Sequence, residues 1–521
     1  MSCFLSFTTH VDNVIIFFCT TDDDDAAPSG DLKPALEQKI DNGTALMLTP
    51  YVEKGLLEEG RKAAEVDPRL FLGVKFYTGY FTVDKTYDSN TFFWYFPVQG
   101  TPVNEAPWII WLQGGPGTSV VLSVFNEIGP FKVNSEGDLE SNPHTWLQNH
   151  SLVFIESPVG TGYSFTNHKD GFARDIATYI KHLYNALGQF LVLFPELREA
   201  PLFIAGQSYA GLTVPALAME IHSRKHLPGG DINLKGLILG NARTEPDMLA
   251  EFVRPFYHFG LLVEEQMQLV QPLVDALRDD IAANRSIGAK QKRRRLVTVM
   301  KALSHQQYEY NFLEDSWNLG DYESFLQKSE VKRALHVGDI KLKFENFTVM
   351  DELAPSFLFN SRPLVETLLN YYDVLAMCGQ LDLMMSCTVA AEHHRKWRWD
   401  RSDEFLDATR YPLLHEGRLA GYHKSGGRLT EVMVRGAGHL APMDAPAPAR
   451  WLVAQWTRGH PLPQPPTTPL HVIREYVSGE RDSLILDINR HFCRIRFLYY
   501  YKFQDKITVY FCFFHVLKHQ E

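Results

Sequence analysis

Short apolar runs alternate with amphipathic stretches along most of this 521-residue chain. Six segments are predicted to be strands of one parallel sheet, and they lie at residues 108–112, 151–155, 201–206, 234–239, 373–377 and 428–434. Two further strands, 76–83 and 91–96, are joined by a turn-rich connection. Apolar residues recur with helical spacing over 175–193. This alternation predicts an α/β fold with a mostly parallel central sheet and helices on both faces.

Residues 243–369 interrupt the alternation, because this region is mostly helical and polar in pattern. Such an insertion in an α/β enzyme often forms a cap over the ligand site. Further on, a proline-rich stretch leads into an aromatic tail, whose charged residues exclude a membrane span. We therefore expect an atypical leader at 1–47, an α/β domain at 48–460 that carries the helical cap, and a linker and tail at 461–521.

A run of basic residues lies inside the predicted cap and comprises Lys290, Lys292, Arg293, Arg294 and Arg295. Runs of this kind are usually the solvated face of a helix, and that is the interpretation we favour here. A proteolytic processing site is the sharper alternative.

Composition limits the classes of partner and cofactor. A formal net charge of −11 and a pI of about 6.0 argue against nucleic acid as the main partner. The six cysteines are scattered and their spacing fits no zinc site, so the sequence predicts neither a metal nor another cofactor. Cys378 and Cys387 either form a disulfide or remain buried free thiols.

The segment around Ser208 has the pattern of a nucleophile elbow. An apolar strand stops at Gly206, and a helix is predicted to begin near Gly211. A strand that turns sharply into a helix needs small residues beside the exposed serine, because larger side chains would collide there. The fit to G-x-S-x-G is imperfect, since Ala210 occupies the second glycine position. A simple Gly-Ser turn at the end of a core strand is the alternative.

Two further residues complete a Ser, Asp, His order along the chain. Asp382 follows the predicted strand 373–377, and His439 follows the predicted strand 428–434. Because ligands bind at the carboxyl edge of an open parallel sheet, we expect both side chains to lie near Ser208. This order is the one found in α/β-hydrolases, so the sequence predicts an α/β-hydrolase fold with a catalytic triad.

A glycine-rich loop follows the predicted strand 108–112 and contains Gly114, Gly115 and Gly117. Consecutive backbone N–H groups without obstructing side chains are what an oxyanion hole requires. A phosphate-binding loop is the alternative, but no Lys-Ser or Lys-Thr follows the glycines.

Over residues 48–456 the chain resembles the serine carboxypeptidases, and most closely their vitellogenic-like branch. The motifs that carry the resemblance are YFTV at 80–83, FFWYFP at 92–97, WLQGGPG at 111–117, GP at 129–130, PVGTG at 158–162, GQSYAG at 206–211, GQLD at 379–382 and GH at 438–439. The resemblance implies that Ser208 is the nucleophile, His439 the general base and Asp382 its orienting acid. It also implies an oxyanion hole formed by the backbone N–H groups of Gly115 and Tyr209.

The resemblance further implies a site for the C-terminal carboxylate of the substrate at Gln113, Gly114 and Gln207, supported by Glu127. Gln207 stands where the family usually has Glu, and Gln113 stands where most of the family has Asn. A Glu donates a hydrogen bond only when it is protonated, whereas a Gln amide donates at every pH. We therefore expect carboxylate binding to depend less on low pH in this chain.

The function implied is that of a serine-type carboxypeptidase, which releases C-terminal residues from peptides through an acyl-enzyme and belongs to the secretory pathway, either secreted or lysosomal. The apolar N-terminal stretch is a weak signal peptide, because no Lys or Arg precedes Lys33. Sequons provide four candidate glycosylation sites, at Asn42, Asn149, Asn284 and Asn346. The alternatives are an acyltransferase using the same triad and a non-catalytic binding protein on the hydrolase scaffold. The sequence leaves the oligomeric state open.

Overall fold

The computed structural model describes residues 42–316 and 319–464. The strands are β1 Tyr77–Asp84, β2 Ser89–Phe96, β3 Trp108–Leu112, β4 Phe131–Val133, β5 Leu139–Ser141, β6 Ser151–Ile155, β7 Phe165–Thr166, β8 Leu202–Gln207, β9 Leu234–Gly240, β10 Asp373–Gly379, β11 Arg410–His415, β12 Arg418–Gly426 and β13 Leu429–Val434. The helices are α1 Thr49–Lys54, α2 Leu57–Ala64, α3 Ile176–Leu193, α4 Ala210–Arg224, α5 Met248–Glu251, α6 Val253–His258, α7 Glu264–Ala282, α8 Ser286–Ser304, α9 Tyr322–Gln327, α10 Ser329–Ala334, α11 Phe347–Glu352, α12 Arg362–Leu368, α13 Cys387–His394, α14 Ser402–Asp407, α15 Ala441–Asp444 and α16 Pro446–Thr457.

The central sheet has the strand order β1-β2-β6-β3-β8-β9-β10-β13-β12-β11, with β7 paired to β2. The run from β6 to β13 is parallel throughout, whereas the strands at both edges pair antiparallel. The predicted mostly parallel sheet is therefore confirmed. Because parallel strands end at one edge, the loops after β3, β8, β9, β10 and β13 meet there.

Strand β2 shows how the sheet is buried on both faces. All of its eight residues are buried, and its side chains alternate between two hydrophobic clusters, as the pleat requires. Phe93 and Tyr95 pack in the cluster beneath α3 and α4, whereas Phe92 and Trp94 join the cluster on the opposite face. Helix α3 buries the apolar stripe predicted for 175–193 in the first cluster, and its N-terminus is capped by the Asp175 carboxylate, which accepts from Thr178 N at 2.7 Å.

The described residues between β9 and β10 form helices and add no strand to the central sheet. Helices α7 and α8 pack against each other around apolar residues at helical spacing, including Val270, Leu277, Leu296 and Met300. This hairpin therefore packs in a third hydrophobic cluster, which it shares with α5, α6 and Leu383 and which is separate from the two that cover the sheet.

The packing of the domain continues past both predicted boundaries. On the N-terminal side, Tyr80 N donates to Leu46 O at 2.9 Å. On the C-terminal side, Leu462 is buried and Pro463 O is 3.0 Å from His423 Nε2. The rest of the predicted leader, 1–41, and of the predicted tail, 465–521, lies outside the described residues.

None of the helices in the described part of the chain has the length and apolar composition that a membrane crossing needs.

Candidate active site

Ser208 occupies a sharp turn between β8 and α4, in a left-handed backbone conformation with φ of +59°. This conformation costs a non-glycine residue about 1–2 kcal/mol. Two backbone hydrogen bonds hold the turn, from Ser208 N to Gly240 O at 2.9 Å and from Arg243 N to Ser208 O at 3.0 Å. A Cβ on Gly206 would lie 2.5 Å from Leu112 O. Small residues are therefore required here, as the elbow pattern predicted.

His439 and Asp382 form a buried pair, with Nδ1 and Oδ2 at a distance of 2.6 Å. His439 follows β13 and Asp382 follows β10, so neighbouring parallel strands bring the two side chains together. A carboxylate only accepts hydrogen bonds, so the proton of a neutral His439 lies on Nδ1 and Nε2 is the acceptor. That tautomer is the one a general base requires.

Asp382 is held in place by three N–H groups besides that of His439. The backbone N–H groups of Met384 and Met385 donate to Oδ1 at 2.7 and 3.1 Å, and Asn241 Nδ2 donates to Oδ2 at 2.6 Å. Asn241 follows β9 and also accepts from Gly379 N at 3.2 Å. Sequence analysis missed Asn241, although a polar residue directly after a buried strand was a usable signal.

Tyr310 positions His439 from the helical insertion. Its carbonyl oxygen accepts from His439 N at 2.6 Å, and the two rings are 4.8 Å apart between centroids. No motif surrounds Tyr310 in the sequence, so only the fold reveals this contact.

The glycine loop after β3 lies against the elbow. A Cβ on Gly114 would be 2.8 Å from Ser208 Cβ and 3.0 Å from Gln207 O, so only glycine fits there. Gly115 has φ of +108°, which also favours glycine. Both glycines line the same cavity as Ser208, Tyr209 and His439. The loop is therefore close enough to the nucleophile to supply oxyanion donors.

The cavity has a volume of about 550 Å³ and is lined partly by the loops at the sheet edge and partly by the insertion. The insertion contributes Lys290, Arg293, Arg294 and Lys301 from α8. Our interpretation of the basic run as a solvated face is therefore wrong for Arg293, which is buried. The same interpretation is correct for Arg295, which is exposed to solvent. The run was misread because helical spacing shows which residues share a face but not what that face contacts.

Gln113, Gln207 and Glu127 form a buried hydrogen-bonded cluster, in which Gln113 and Gln207 line the cavity and Glu127 lies behind them. The Trp111 indole N–H donates to Gln113 Oε1 at 3.2 Å, which fixes the orientation of that amide. Gln207 Nε2 then donates to Gln113 Oε1 at 3.1 Å and to Glu127 Oε1 at 3.0 Å. Both amide hydrogens of Gln207 are therefore engaged within the cluster.

Burial raises the pKa of Glu127 from 4.5 to about 7, against the opposing effect of hydrogen bonds from Ser123 and Gln207. Its Oε2 is buried and has no hydrogen-bond partner among the described residues. An ionised carboxylate is poorly accommodated in such a site. The protonated form of Glu127 is thus favoured up to about neutral pH.

Replacing Glu127 with Gln is expected to flatten the dependence of stability on pH. Because the folded pKa exceeds the unfolded one, the stabilisation from the protonated form is complete below pH 4.5 and is lost as pH rises through 7. Between pH 5 and 8 the wild type should lose about 2 to 3 kcal/mol more unfolding free energy than Glu127→Gln. Urea unfolding at both pH values measures this, with the exposed Glu136→Gln as control. Parallel curves for the wild type and Glu127→Gln would contradict it.

The predicted glycosylation sites differ in accessibility. Asn284 is exposed, and Asn42 and Asn149 are half-buried. Asn346 is buried, and its amide donates to Gly160 O at 2.7 Å while its Oδ1 accepts from Thr348 N. Attachment of a glycan to Asn346 would require breaking these contacts, so the fold argues against that site.

Cys378 and Cys387 are joined by a disulfide, with their Cα atoms 5.6 Å apart. Of the two states that the sequence left open, the structure has the bridged one. The bridge closes the segment that carries Asp382. Among the described residues, no group of three His, Cys, Asp or Glu side chains is arranged to hold a metal ion.

The comparisons with known proteins agree on one family. Residues 68–459 match the Peptidase S10 family, described as "Serine carboxypeptidase". The vitellogenic carboxypeptidase of Aedes aegypti is 33% identical over 434 residues, which cover 80% of this chain and 90% of that protein. The venom serine carboxypeptidase of Apis mellifera is 33% identical, covering 81% and 93%. The human "Probable serine carboxypeptidase CPVL" is 33% identical, covering 82% and 92%.

A solved structure shows the same fold. The prohormone-processing carboxypeptidase Kex1(Δ)p from Saccharomyces cerevisiae superposes with a TM-score of 0.70 at 22% identity, over 77% of this chain and 96% of that one. The predicted α/β-hydrolase fold is therefore confirmed, together with the predicted family. The chain belongs to the serine carboxypeptidase family and is a serine-type peptide hydrolase.

Proposed function

We propose that Ser208, His439 and Asp382 are the catalytic triad with which this enzyme releases C-terminal residues. The observation that carries the proposal is the buried His439–Asp382 pair at 2.6 Å, in a structure where His439 and the left-handed Ser208 line one cavity. An imidazole held by a carboxylate beside a serine that lines the cavity is the arrangement that activates a hydroxyl nucleophile.

In this mechanism Ser208 Oγ attacks the carbonyl carbon of the last peptide bond while His439 Nε2 takes its proton. The oxyanion accepts hydrogen bonds from the N–H groups of Gly115 and Tyr209. Collapse expels the C-terminal amino acid, whose amine receives the proton from His439. Water then attacks the ester, with His439 again as the base, and frees the shortened peptide.

The substrate's terminal carboxylate binds at Gln113, Gly114 and Gln207, with Glu127 behind them. Gln113, Gly114 and Gln207 line the cavity. A carboxylate needs donors, and both hydrogens of the Gln207 amide point to Gln113 and Glu127 before substrate arrives. Binding therefore requires a rearrangement within the cluster, in which Glu127 remains protonated and the amides turn towards the substrate.

The enzyme acts within the secretory pathway, as a secreted or a lysosomal protein. The Cys378–Cys387 disulfide supports this location, because such bonds persist in oxidising compartments. An exposed sequon at Asn284 is compatible with it.

The test of this function is hydrolysis of N-blocked dipeptides with free or amidated C-termini between pH 5 and 7. The wild type should cleave the free acid at least about 100-fold faster than the amide, since the amide lacks the charged acceptor. Equal rates on both substrates would overturn the exopeptidase assignment.

The same assay tests Gln207. In Gln207→Glu a second carboxyl lies beside Glu127, and mutual repulsion should make KM for the free acid rise more steeply with pH than in the wild type. The exposed Gln99→Glu is the matched control for an added carboxylate. Coincident KM profiles for wild type and Gln207→Glu would show that this side chain does not contact the terminal carboxylate.

A further inference from the structure

Two buried arginines line the cavity beside the nucleophile. Arg243 follows β9 and is 4% exposed, and Arg293 lies on α8 and is 6% exposed. The Arg293 guanidinium lies 3.5 Å from the centroid of the Phe252 ring, and that of Arg243 lies 5.6 Å from the Tyr209 ring. Arginine is almost never fully buried unless it is paired.

Neither guanidinium forms an ion pair with any residue that the structure describes. Arg243 Nη1 donates to Phe357 O at 2.9 Å, and Arg293 Nη2 lies 3.6 Å from Met384 Sδ. Arg243 Nη2 and both Nε and Nη1 of Arg293 are buried and have no hydrogen-bond partner among the described residues. Three buried nitrogen atoms of positively charged guanidinium groups thus lack a hydrogen-bond acceptor among the described residues.

Burial of two guanidinium groups without ion-pair partners lowers the stability of the fold. Burial lowers the pKa of Arg293 to about 9 and that of Arg243 to about 10, and each still carries its charge at neutral pH. Each positive charge also repels the other. Buried cations without an ion-pair partner are unfavourable, and an anion that enters the cavity would relieve this cost.

Carboxylates nearby offset the charge of the two arginines only in part, because Glu309 and Asp382 attract Arg293 without forming an ion pair with it. Lys290, Arg294 and Lys301 are also cationic, against the two carboxylates Glu309 and Glu345. Lys290 is paired with Asp351 and Lys301 with Glu309, each at 2.8 Å, which leaves Arg294 and the two buried arginines against Glu345. The cavity is therefore locally basic in a chain whose formal net charge is −11.

The order of the strands separates the arginines from the cluster around Gln113. Gln113 follows β3 and Arg243 follows β9, and these strands flank β8, which ends at the nucleophile. If the terminal carboxylate of a substrate binds on the β3 side, as proposed above, the residue that supplies the scissile carbonyl is expected to extend towards the β9 side. Its side chain would then face Arg243 and Arg293, which line the same cavity.

We propose that Arg243 and Arg293 form an anion subsite that binds the side-chain carboxylate of Glu or Asp at the position just before the released residue. This inference rests on the proposed function of the triad. Two guanidinium groups supply the charge-assisted hydrogen bonds that a carboxylate accepts. The C-terminal carboxylate of the substrate would accept the same hydrogen bonds, and the test below distinguishes it from the side-chain carboxylate.

The test compares N-acetyl-Glu-Leu with N-acetyl-Gln-Leu, whose side chains have nearly the same shape but of which only Glu carries a negative charge. We expect the wild type to prefer Glu in kcat/KM by at least about tenfold. Arg243→Met and Arg293→Met should each lower this ratio towards 1. The control Arg295→Met removes a charge from the same helix outside the cavity, and it should keep the wild-type ratio. Equal kcat/KM for the two substrates in the wild type would overturn the proposal.

Amidated forms of the same dipeptides show which of the two carboxylates of the substrate the arginines bind. If the arginines bind the side chain, Arg293→Met affects the Glu substrate and spares the Gln substrate, with or without the amide. If Arg293→Met weakens both free acids equally and neither amide, the arginines bind the terminal carboxylate and the proposed subsite is wrong.

Thermal unfolding gives a readout that does not depend on turnover. N-acetylglutamate should raise the Tm of the wild type more than N-acetylglutamine does, and Arg293→Met should abolish the difference. Without ligand, Arg293→Met should unfold at a higher Tm than the wild type, because an unpaired buried charge is removed. A lower Tm, together with no difference between the two ligands, would assign Arg293 to the stacking on Phe252 and overturn the proposal. Inactivity towards all dipeptides with the ligand effect intact would instead count against the proposed triad.

Discussion

Replacing Ser208 with Ala is expected to lower kcat by about 10⁶-fold, the loss typical when a serine nucleophile is removed. Alanine retains the Cβ and the left-handed backbone but has no oxygen to form the acyl-enzyme. The stability of the fold should therefore change little, while covalent labelling by a fluorophosphonate should disappear. Steady-state kinetics on an N-blocked dipeptide and mass spectrometry of the labelled protein measure the two effects.

The exposed Ser135→Ala is the matched control and should retain both activity and labelling. Ser208→Gly adds a second check, because glycine adopts φ of +59° without strain. It should be as inactive as Ser208→Ala but more stable by about 1 kcal/mol. Labelling that survives in Ser208→Ala would place the nucleophile elsewhere.

Replacing Asp382 with Asn is expected to lower kcat by about 10⁴-fold, by imposing the wrong tautomer on His439. Met384 N and Met385 N both donate to Oδ1, so the amide oxygen of the new Asn should occupy that position. Its NH₂ group then faces both His439 Nδ1 and Asn241 Nδ2. His439 Nδ1 must accept, and the Asn241 amide loses its acceptor at this position. The proton moves to Nε2, and the base can no longer take the proton of Ser208.

The profile of kcat against pH checks this account, since activity in Asp382→Asn should return only at alkaline pH. The exposed Asp138→Asn is the control for removal of a carboxylate. Equal thermal stability of Asp382→Asn and the wild type would separate the tautomer effect from misfolding. A loss of less than about tenfold at neutral pH would show that Asp382 does not orient His439.

The core of the sheet could be read from the sequence because its strands are buried on both faces. The runs predicted at 108–112 and 151–155 coincide with β3 and β6, and those at 234–239 and 373–377 fall short of β9 and β10 by one and two residues. Strands β11 and β12 were missed. They lie at the edge of the sheet, and most of their residues are only half-buried or exposed, so no continuous apolar run marks them.

The residues of the candidate site likewise fall into those that the sequence predicts and those that only the fold reveals. The placement of Ser208, Asp382 and His439 at one edge of the sheet could be predicted, because each follows an apolar strand and carries a local motif. Asn241 and Tyr310 could not, because they act through contacts with Asp382 and His439 that only the folded chain creates. Arg293 was misassigned for a related reason: its helix packs on the insertion's own cluster, and the sequence does not show which side of that helix meets the sheet edge.

The hairpin of α7 and α8 forms one wall of the cavity from a segment that adds no strand to the central sheet. Its hydrophobic cluster also contains residues of α5 and α6 and Leu383, so this wall is anchored to the loop that carries Asp382. Lys290 is paired with Asp351 and Lys301 with Glu309, whereas Arg294 is exposed and lines the cavity. Arg294 is therefore the position on this wall where the charge of the cavity can change with little effect on the packing behind the triad.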